Sequence, residues 1–397
     1  MKYLKTFILV CLLALAAFPA IAEGADFTVD GFSYAITSTT DFTVEVVKGP
    51  DQAVVTVPST VVFNKRTFRV TGIGCYAFLD SYNLKSIDMP SITYIWNGYY
   101  DSYGYGAFSG CRNLSQVNMP SATSIGDYAF RGCDALTSVT MPVATSIGDY
   151  AFSSCDALTS VTLPVATSIG RHAFYNCDAL TSVSMPVATS IGSGAFTSCD
   201  ALTGVTLPAA TSIGDYAFSD CDALTSVTLP AATSIGYEAF YSCDALTSVT
   251  MPSATSIGEY AFSGCQSLSD IYVGSDPADC YGSSFDKVTY ATATLHVPAG
   301  CASKYKAAKY WKQFNFITED YDPTGIKNIN AEKVKVLCDN GNVNITGLKN
   351  GEKVEFYSVS GQLLGTSVAN AGAVSINTTE HIVICKMAGT SIKVLVK

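Results

Sequence analysis

Cysteine is the most reactive side chain in this sequence, and its placement is regular. Of fourteen cysteines, eight (Cys111, Cys133, Cys155, Cys177, Cys199, Cys221, Cys243 and Cys265) recur every 22 residues. A thiolate can act as nucleophile or soft metal ligand, and two thiols can form a disulfide. Metal binding calls for clustered spacings such as C-x-x-C, and the chain has none. A disulfide needs side chains aimed at each other, whereas equivalent positions of a repeat point the same way. The row is therefore expected to be structural, each thiol a small hydrophobe with a weak donor. Outside it lie Cys11, Cys75, Cys280, Cys301, Cys338 and Cys385, with Cys280–Cys301 and Cys338–Cys385 as candidate pairs.

Aspartates keep the same step at Asp134, Asp156, Asp178, Asp200, Asp222 and Asp244. Stacked like charges repel, and bonds to backbone N–H groups at a turn would offset them. Calcium would want about six to eight oxygens from a dedicated loop, so neither a metal nor another cofactor is expected. The three histidines, His172, His296 and His381, lie far apart. With no G-x-S-x-G, H-E-x-x-H or P-loop motif, the chain does not read as an enzyme.

What positions these residues is a repeat. An Ala-Phe pair places Phe at 78, 108, 130, 152, 174, 196, 218, 240 and 262, so after a first interval of 30 every interval is 22. In the unit beginning at Leu136, Val139 and Met141 alternate with Thr140, which predicts a short strand ended by Pro142. Ile147 returns to the core, Gly148 allows a bend, and Ala151, Phe152 and Cys155 share one side of a short helical turn. One unit cannot bury its apolar face, but stacked units share a continuous core. The fold predicted is a repeat solenoid of 22-residue period, one short strand and one short helical turn per coil.

Hydrophobic residues make up 48% and charged residues 14%, with a net charge of −10. An acidic chain of low charge repels phosphate backbones, so nucleic acid is not an expected partner. At the N-terminus, Lys2 and Lys5 precede an apolar run from Phe7 to Phe18 and the small-x-small Ala20-Ile21-Ala22. This pattern predicts a secretory signal peptide over residues 1–22. Cys11 lacks the preceding small residue of a lipoprotein site, and no other segment is long and apolar enough to span a bilayer.

The pattern L-x-x-V-x-L/M followed by S-I-G-x-x-A-F-x-x-C, repeated over residues 73–273, resembles the BspA-like leucine-rich repeats of bacterial surface proteins. Residues 23–72 resemble that family's strand-rich N-terminal cap, and 274–320, with TLHVPAG leading into a turn at Pro298-Ala299-Gly300, its terminal cap. After Asp322-Pro323-Thr324-Gly325, the runs KVKVLC, NVNITG, KVEFYSVSG, AVSIN, HIVICKM and IKVLVK predict a small all-β sandwich over 321–397. It looks like the C-terminal sorting-type domains of secreted Bacteroidetes proteins, departing from them at His381-Ile-Val-Ile-Cys385. The resemblance implies a secreted or cell-surface adhesin, attached to the outer surface, whose partner is an extracellular or host protein or a glycan. The alternative is a structural surface spacer.

Three features could carry recognition. The first interval holds eight extra residues and crowds Tyr94, Trp96, Tyr99, Tyr100, Tyr103 and Tyr105 into one coil. Aromatic residues on loops of rigid scaffolds suit interfaces, and these six are the candidate ligand-binding residues. A partial row two places before the phenylalanines, Tyr76, Tyr128, Tyr150, Tyr216 and Tyr260, is expected to face outward, interrupted by His172, Gly194 and Glu238. The hydroxyl strip Thr140, Thr162, Ser184, Thr206, Thr228 and Thr250 could suggest an ice-binding face, but an ordinary solvated strand favours threonine too.

Overall fold

The computed structural model describes residues 24–96, 104–322, 335–339, 342–346, 348, 350–351, 353–357, 363–370, 373–377, 382–387 and 390–395. They form two compact units, the first built from residues up to Tyr272 with 277–294 and 308–316, the second from 273–276, 295–307 and 317 onward.

In the first unit each regular coil contributes two strands. Ser138–Thr140 and its equivalents pair parallel and in register, Val139 with Val161 and Val161 with Val183, to form a valine sheet. Ser146–Ile147 and its equivalents form a second, isoleucine sheet, Ile147 pairing Ile169. That second sheet was not legible in the sequence, since two residues are too few to show alternation. Val139, Met141 and Ile147 are buried while Thr140 is exposed, so the period-2 pattern is obeyed wherever it is long enough to be seen. The isoleucine sheet is continued by the N-terminal strands: Arg66–Ile73 pairs parallel with Tyr94–Ile95 on one side and with Thr43–Lys48 on the other.

The remaining third of the coil is a run of turns rather than a helix. Two residues per coil, such as Tyr150 and Ser154 or His172 and Asn176, have φ between 51° and 59°. A left-handed residue every fourth position stops helix propagation. The turns instead hydrogen-bond to the next coil, with Tyr150, Phe152 and Ser154 N–H donating to Arg171, Ala173 and Tyr175 carbonyls at 2.8 Å. All three faces of the coil are thereby knitted to the neighbour.

The core is a stack of ten phenylalanines, Phe78 to Phe285, with successive ring centroids 4.9 to 5.4 Å apart and planes within 8°. Near-parallel rings at that separation are offset-stacked, the favourable arrangement for aromatic quadrupoles. Phe285 extends the stack past the regular repeat, with Ser284 in place of alanine. Gly148 does not serve a bend: a Cβ there would lie 2.6 Å from the backbone N of Asp127 and 2.7 Å from Gly126 C. The same holds at Gly170 and Gly192, so this glycine row sets how closely coils approach.

In the second unit, Lys335–Asp339, Asn342–Thr346 and Ala373–Asn377 form one antiparallel sheet, and Leu363–Val368, Lys353–Tyr357, Ile382–Met387 and Thr390–Leu395 another. Val343, Ile345 and Val374 of the first share a buried cluster with Val354, Phe356 and Cys385 of the second. This is the small β module expected from the alternating runs. Cys280 and Cys301 are free thiols, not a disulfide, and the Cys301 thiol points to the Ala299 carbonyl. The side chain of Cys338 lies outside the described residues. Among the described residues no helix is long and apolar enough to cross a membrane.

Candidate functional site

Of the six aromatic candidates, Tyr94, Trp96 and Tyr105 are described, while Tyr99, Tyr100 and Tyr103 lie outside the described residues. Tyr94 sits in the isoleucine sheet, where the lack of a side chain at Gly72 leaves room for its ring. Its hydroxyl donates to Glu45 Oε2 at 3.1 Å. Burial, then the Glu45 charge, pushes that hydroxyl up to about 12. Burial also raises the Glu45 carboxyl, opposed by hydrogen bonds from the Tyr94 and Trp96 side chains. Tyr94 is thus an anchor to the N-terminal strands. Trp96 meets it edge-to-face at 6.4 Å and remains 50% exposed. Tyr105 is half-buried. Glu45 was not foreseen; its only signal is a single acid among the valines of Thr43–Lys48.

The tyrosine row is only partly outward-facing. Tyr76, Tyr128, Tyr150, His172, Gly194, Tyr216, Glu238 and Tyr260 all occupy the left-handed region, with φ from 50° to 63°. Side chains other than glycine rarely take this conformation, and it costs roughly 1–2 kcal/mol per residue. Stacking between coils offsets part of that cost: Tyr128 on Tyr150 at 5.0 Å and Tyr150 on His172 at 4.8 Å.

A family model for the BspA type leucine rich repeat region matches residues 59–164, 101–223 and 189–306. The chain belongs to the BspA-type leucine-rich-repeat family. Among solved structures, a leucine rich cell surface protein from Faecalibacterium prausnitzii is 23% identical, over 75% of this chain and 95% of that one, with a TM-score of 0.39. A leucine rich repeat protein of T. pallidum is 22% identical over 61% and 90%, TM-score 0.37. One from Bacteroides ovatus is 21% identical over 74% and 99%, TM-score 0.31. No curated protein matches the chain significantly.

In these BspA-type coils the cysteines act as clamps. Each ladder thiol donates to a phenylalanine carbonyl of the preceding coil, as Cys155 does to Phe130 at 3.2 Å and Cys177 to Phe152 at 3.2 Å. Burial pushes the Cys111 and Cys177 thiols up to about 12, which removes the thiolate that alkylation needs. Brief iodoacetamide treatment of the folded protein should leave all eight ladder cysteines unmodified by mass spectrometry, and unfolding in guanidinium should expose them. Labelling without denaturant would show that the coils open.

The offset expected for the Asp134–Asp244 row is made elsewhere. It is Asp127, Asp149 and Asp215, one residue past the repeat glycine, whose Oδ1 atoms accept backbone N–H bonds from residues 149, 171 and 237, at 2.7 to 2.8 Å. Asp156, Asp178, Asp200 and Asp222 stay exposed, and their carboxyls are raised by partial desolvation and then by neighbouring aspartates. Among the described residues no group of His, Cys, Asp or Glu is placed to hold a metal ion. A carboxyl raised in the folded state binds more protons there than in the unfolded chain, so this row's contribution falls as pH rises through its folded range. Thermal unfolding should shift upward as the solution is acidified through the range just above the ordinary aspartate value. Asp178→Asn should flatten that slope, and an unchanged slope would remove the row as its cause.

Proposed function

We propose that the chain is a non-catalytic binding protein, exported and held at or beyond the cell surface, that recognises an extracellular protein or glycan through its solenoid. The observation that carries this reading is Trp96. It is half exposed beside the anchored Tyr94, in the one coil that departs from the repeat. A large aromatic side chain on a rigid support gives contact area at little entropic cost. The family and the signal-like residues 1–22 support a surface or secreted location, and the β module at 321–397 would sort or attach the chain there.

The test is binding of the chain from residue 23 onward to a panel of extracellular-matrix proteins and glycans, beside Trp96→Ala and a variant with the Tyr94–Tyr105 stretch cut to regular repeat length. Trp96→Ala should weaken binding about thirtyfold, the loss of a hot-spot side chain. Equal binding by all three proteins would move the site off the insertion. The spacer reading draws on the outward threonines, which are used between coils: Thr145 and Thr167 hydroxyls donate to the Thr123 and Thr145 carbonyls at 3.2 Å. Absence of any ligand on the panel would favour it.

A further inference from the structure

One coil reverses a pair of residues that its neighbours keep in order. The turn face carries an acid followed by a ring at Asp127-Tyr128, Asp149-Tyr150, Asp215-Tyr216 and Glu259-Tyr260, but the coil between the last two reads Tyr237-Glu238. Glu238 therefore stands in the ring column, with φ 50° where Tyr216 and Tyr260 of the adjoining coils have φ 58° and 57°. The Tyr216 N–H donates to the Tyr237 carbonyl at 2.8 Å and the Glu238 N–H to the Glu259 carbonyl at 3.0 Å, so the three coils are in direct succession. The Tyr237 ring meets both neighbours of Glu238 edge-to-face, Tyr216 at 5.3 Å and 68°, Tyr260 at 5.9 Å and 85°. Tyr128 and Tyr150, by contrast, lie within 3° of parallel. A parallel stack covers the facing π surfaces, whereas the ring that offers its edge in a T-shaped pair keeps both of its faces free. Tyr216 and Tyr260 are 40% and 39% exposed.

The reversal also releases a carboxylate. In the regular order the acid clamps two coils, as Asp127, Asp149 and Asp215 accept backbone N–H bonds from the coil that follows. At 237 a tyrosine holds that position. The acid has moved one residue on, where it bonds the Tyr237 hydroxyl and so pushes it up. Among the described residues no cation pairs with Glu238. The sequence around it supplies none: residues 172–286 hold twelve acids and neither Lys nor Arg. A carboxylate set among aromatic rings, in a field of like charge, is complementary to a cation that comes from outside the chain. Cations are drawn to a ring face within about 6 Å, and a guanidinium can stack on a ring while its planar fork pairs a carboxylate. We infer that Tyr216, Tyr237, Glu238 and Tyr260 form a docking seat for an arginine side chain of an extracellular partner protein. The inference rests on the reading of the chain as a binding protein, and it adds a contact on the turn face, in the coil of Phe240, well beyond the aromatic insertion.

The probe is a fluorescein-labelled peptide of alternating glycine and arginine, with a lysine counterpart, and its anisotropy is followed as the chain from residue 23 onward is added. The decisive variant exchanges the pair, Tyr237→Glu together with Glu238→Tyr. It restores the order of the neighbouring coils and keeps both composition and net charge, so binding that depends on acidity alone is unaffected by it. The exchange should weaken binding of the arginine peptide about tenfold, as should Glu238→Gln, and Tyr260→Ala about threefold. Asp156→Asn removes the same charge as Glu238→Gln from a coil outside the seat, and it should bind as wild type does. Circular dichroism checks that each variant is folded, and Glu238→Gln against Asp156→Asn decides the matter if the exchanged pair is not. Unchanged affinity in the folded exchange variant overturns the seat. Equal losses in Glu238→Gln and Asp156→Asn reduce the effect to net charge and overturn it as well. Tighter binding of the lysine peptide than of the arginine peptide overturns the choice of guanidinium. Wild-type protein that binds the matrix panel but neither peptide overturns this seat and leaves the general binding reading standing.

Discussion

Phe174→Ala should destabilise the solenoid by about 3–5 kcal/mol, the range for removing a buried aromatic ring. Phe174 is fully buried, with Phe152 5.4 Å away on one side and Phe196 5.2 Å away on the other. The coil cannot collapse to refill the space, because its three faces are hydrogen-bonded to both neighbours and fix the spacing. Stability of a repeat array is close to a sum of coil terms and nearest-neighbour terms, so the loss falls on two interfaces at once. Equilibrium denaturation should show a lower midpoint, and amide exchange should show the coils on either side opening separately. A loss under about 1 kcal/mol would mean that the coil does close up, and the stack would not be what holds the array.

Gly192→Ala should cost about 1–3 kcal/mol or more through overpacking, although alanine would ordinarily be the more stable residue. Restricting the unfolded chain favours alanine by roughly 0.4–1 kcal/mol where the native backbone accepts it. At Gly192 a Cβ would stand 2.6 Å from Gly170 C and 2.7 Å from its O, and backbone cannot swing aside as a side-chain tip can. The clash outweighs the entropic gain. Gly204 is the control, since nothing lies within 4 Å of a Cβ there and the equivalent residues of the flanking coils are serines. Gly204→Ser should be neutral or slightly stabilising. Equal effects at the two glycines would defeat the close-approach explanation.

The contrast between these glycines shows where the sequence speaks and where it is silent. A 22-residue period with invariant Phe, Ile and Cys is enough to infer stacked coils and a buried thiol row, because identical residues in identical environments must form columns. It does not say why a residue recurs. Gly148 reads equally well as a bend or as a contact, and only the neighbouring coil's backbone distinguishes them. Tyr150 looks like an ordinary outward side chain, because the sequence carries no mark of a left-handed backbone at a position where glycine would be expected. The unbroken aspartate row looks the more purposeful on paper, yet its Asp156 faces water, while Asp149 of an interrupted row accepts the Arg171 N–H of the next coil. Tyr94 and Trp96 were identifiable as unusual from composition alone. That both reach Glu45 while Trp96 stays half exposed depends on a strand 49 residues from Tyr94 in the chain.

The repeated side-chain bonds share a direction. Cys155 donates to Phe130, Thr145 donates to Thr123, and Asp127 accepts from the backbone of Asp149. In each the earlier coil supplies a fixed acceptor and the later coil brings the donor. On the turn face the backbone runs the other way, with the N–H groups of Tyr150, Phe152 and Ser154 donating to carbonyls of the following coil. Each coil therefore shows its successor side-chain acceptors and backbone donors together, and only a segment carrying the complement of both can dock there.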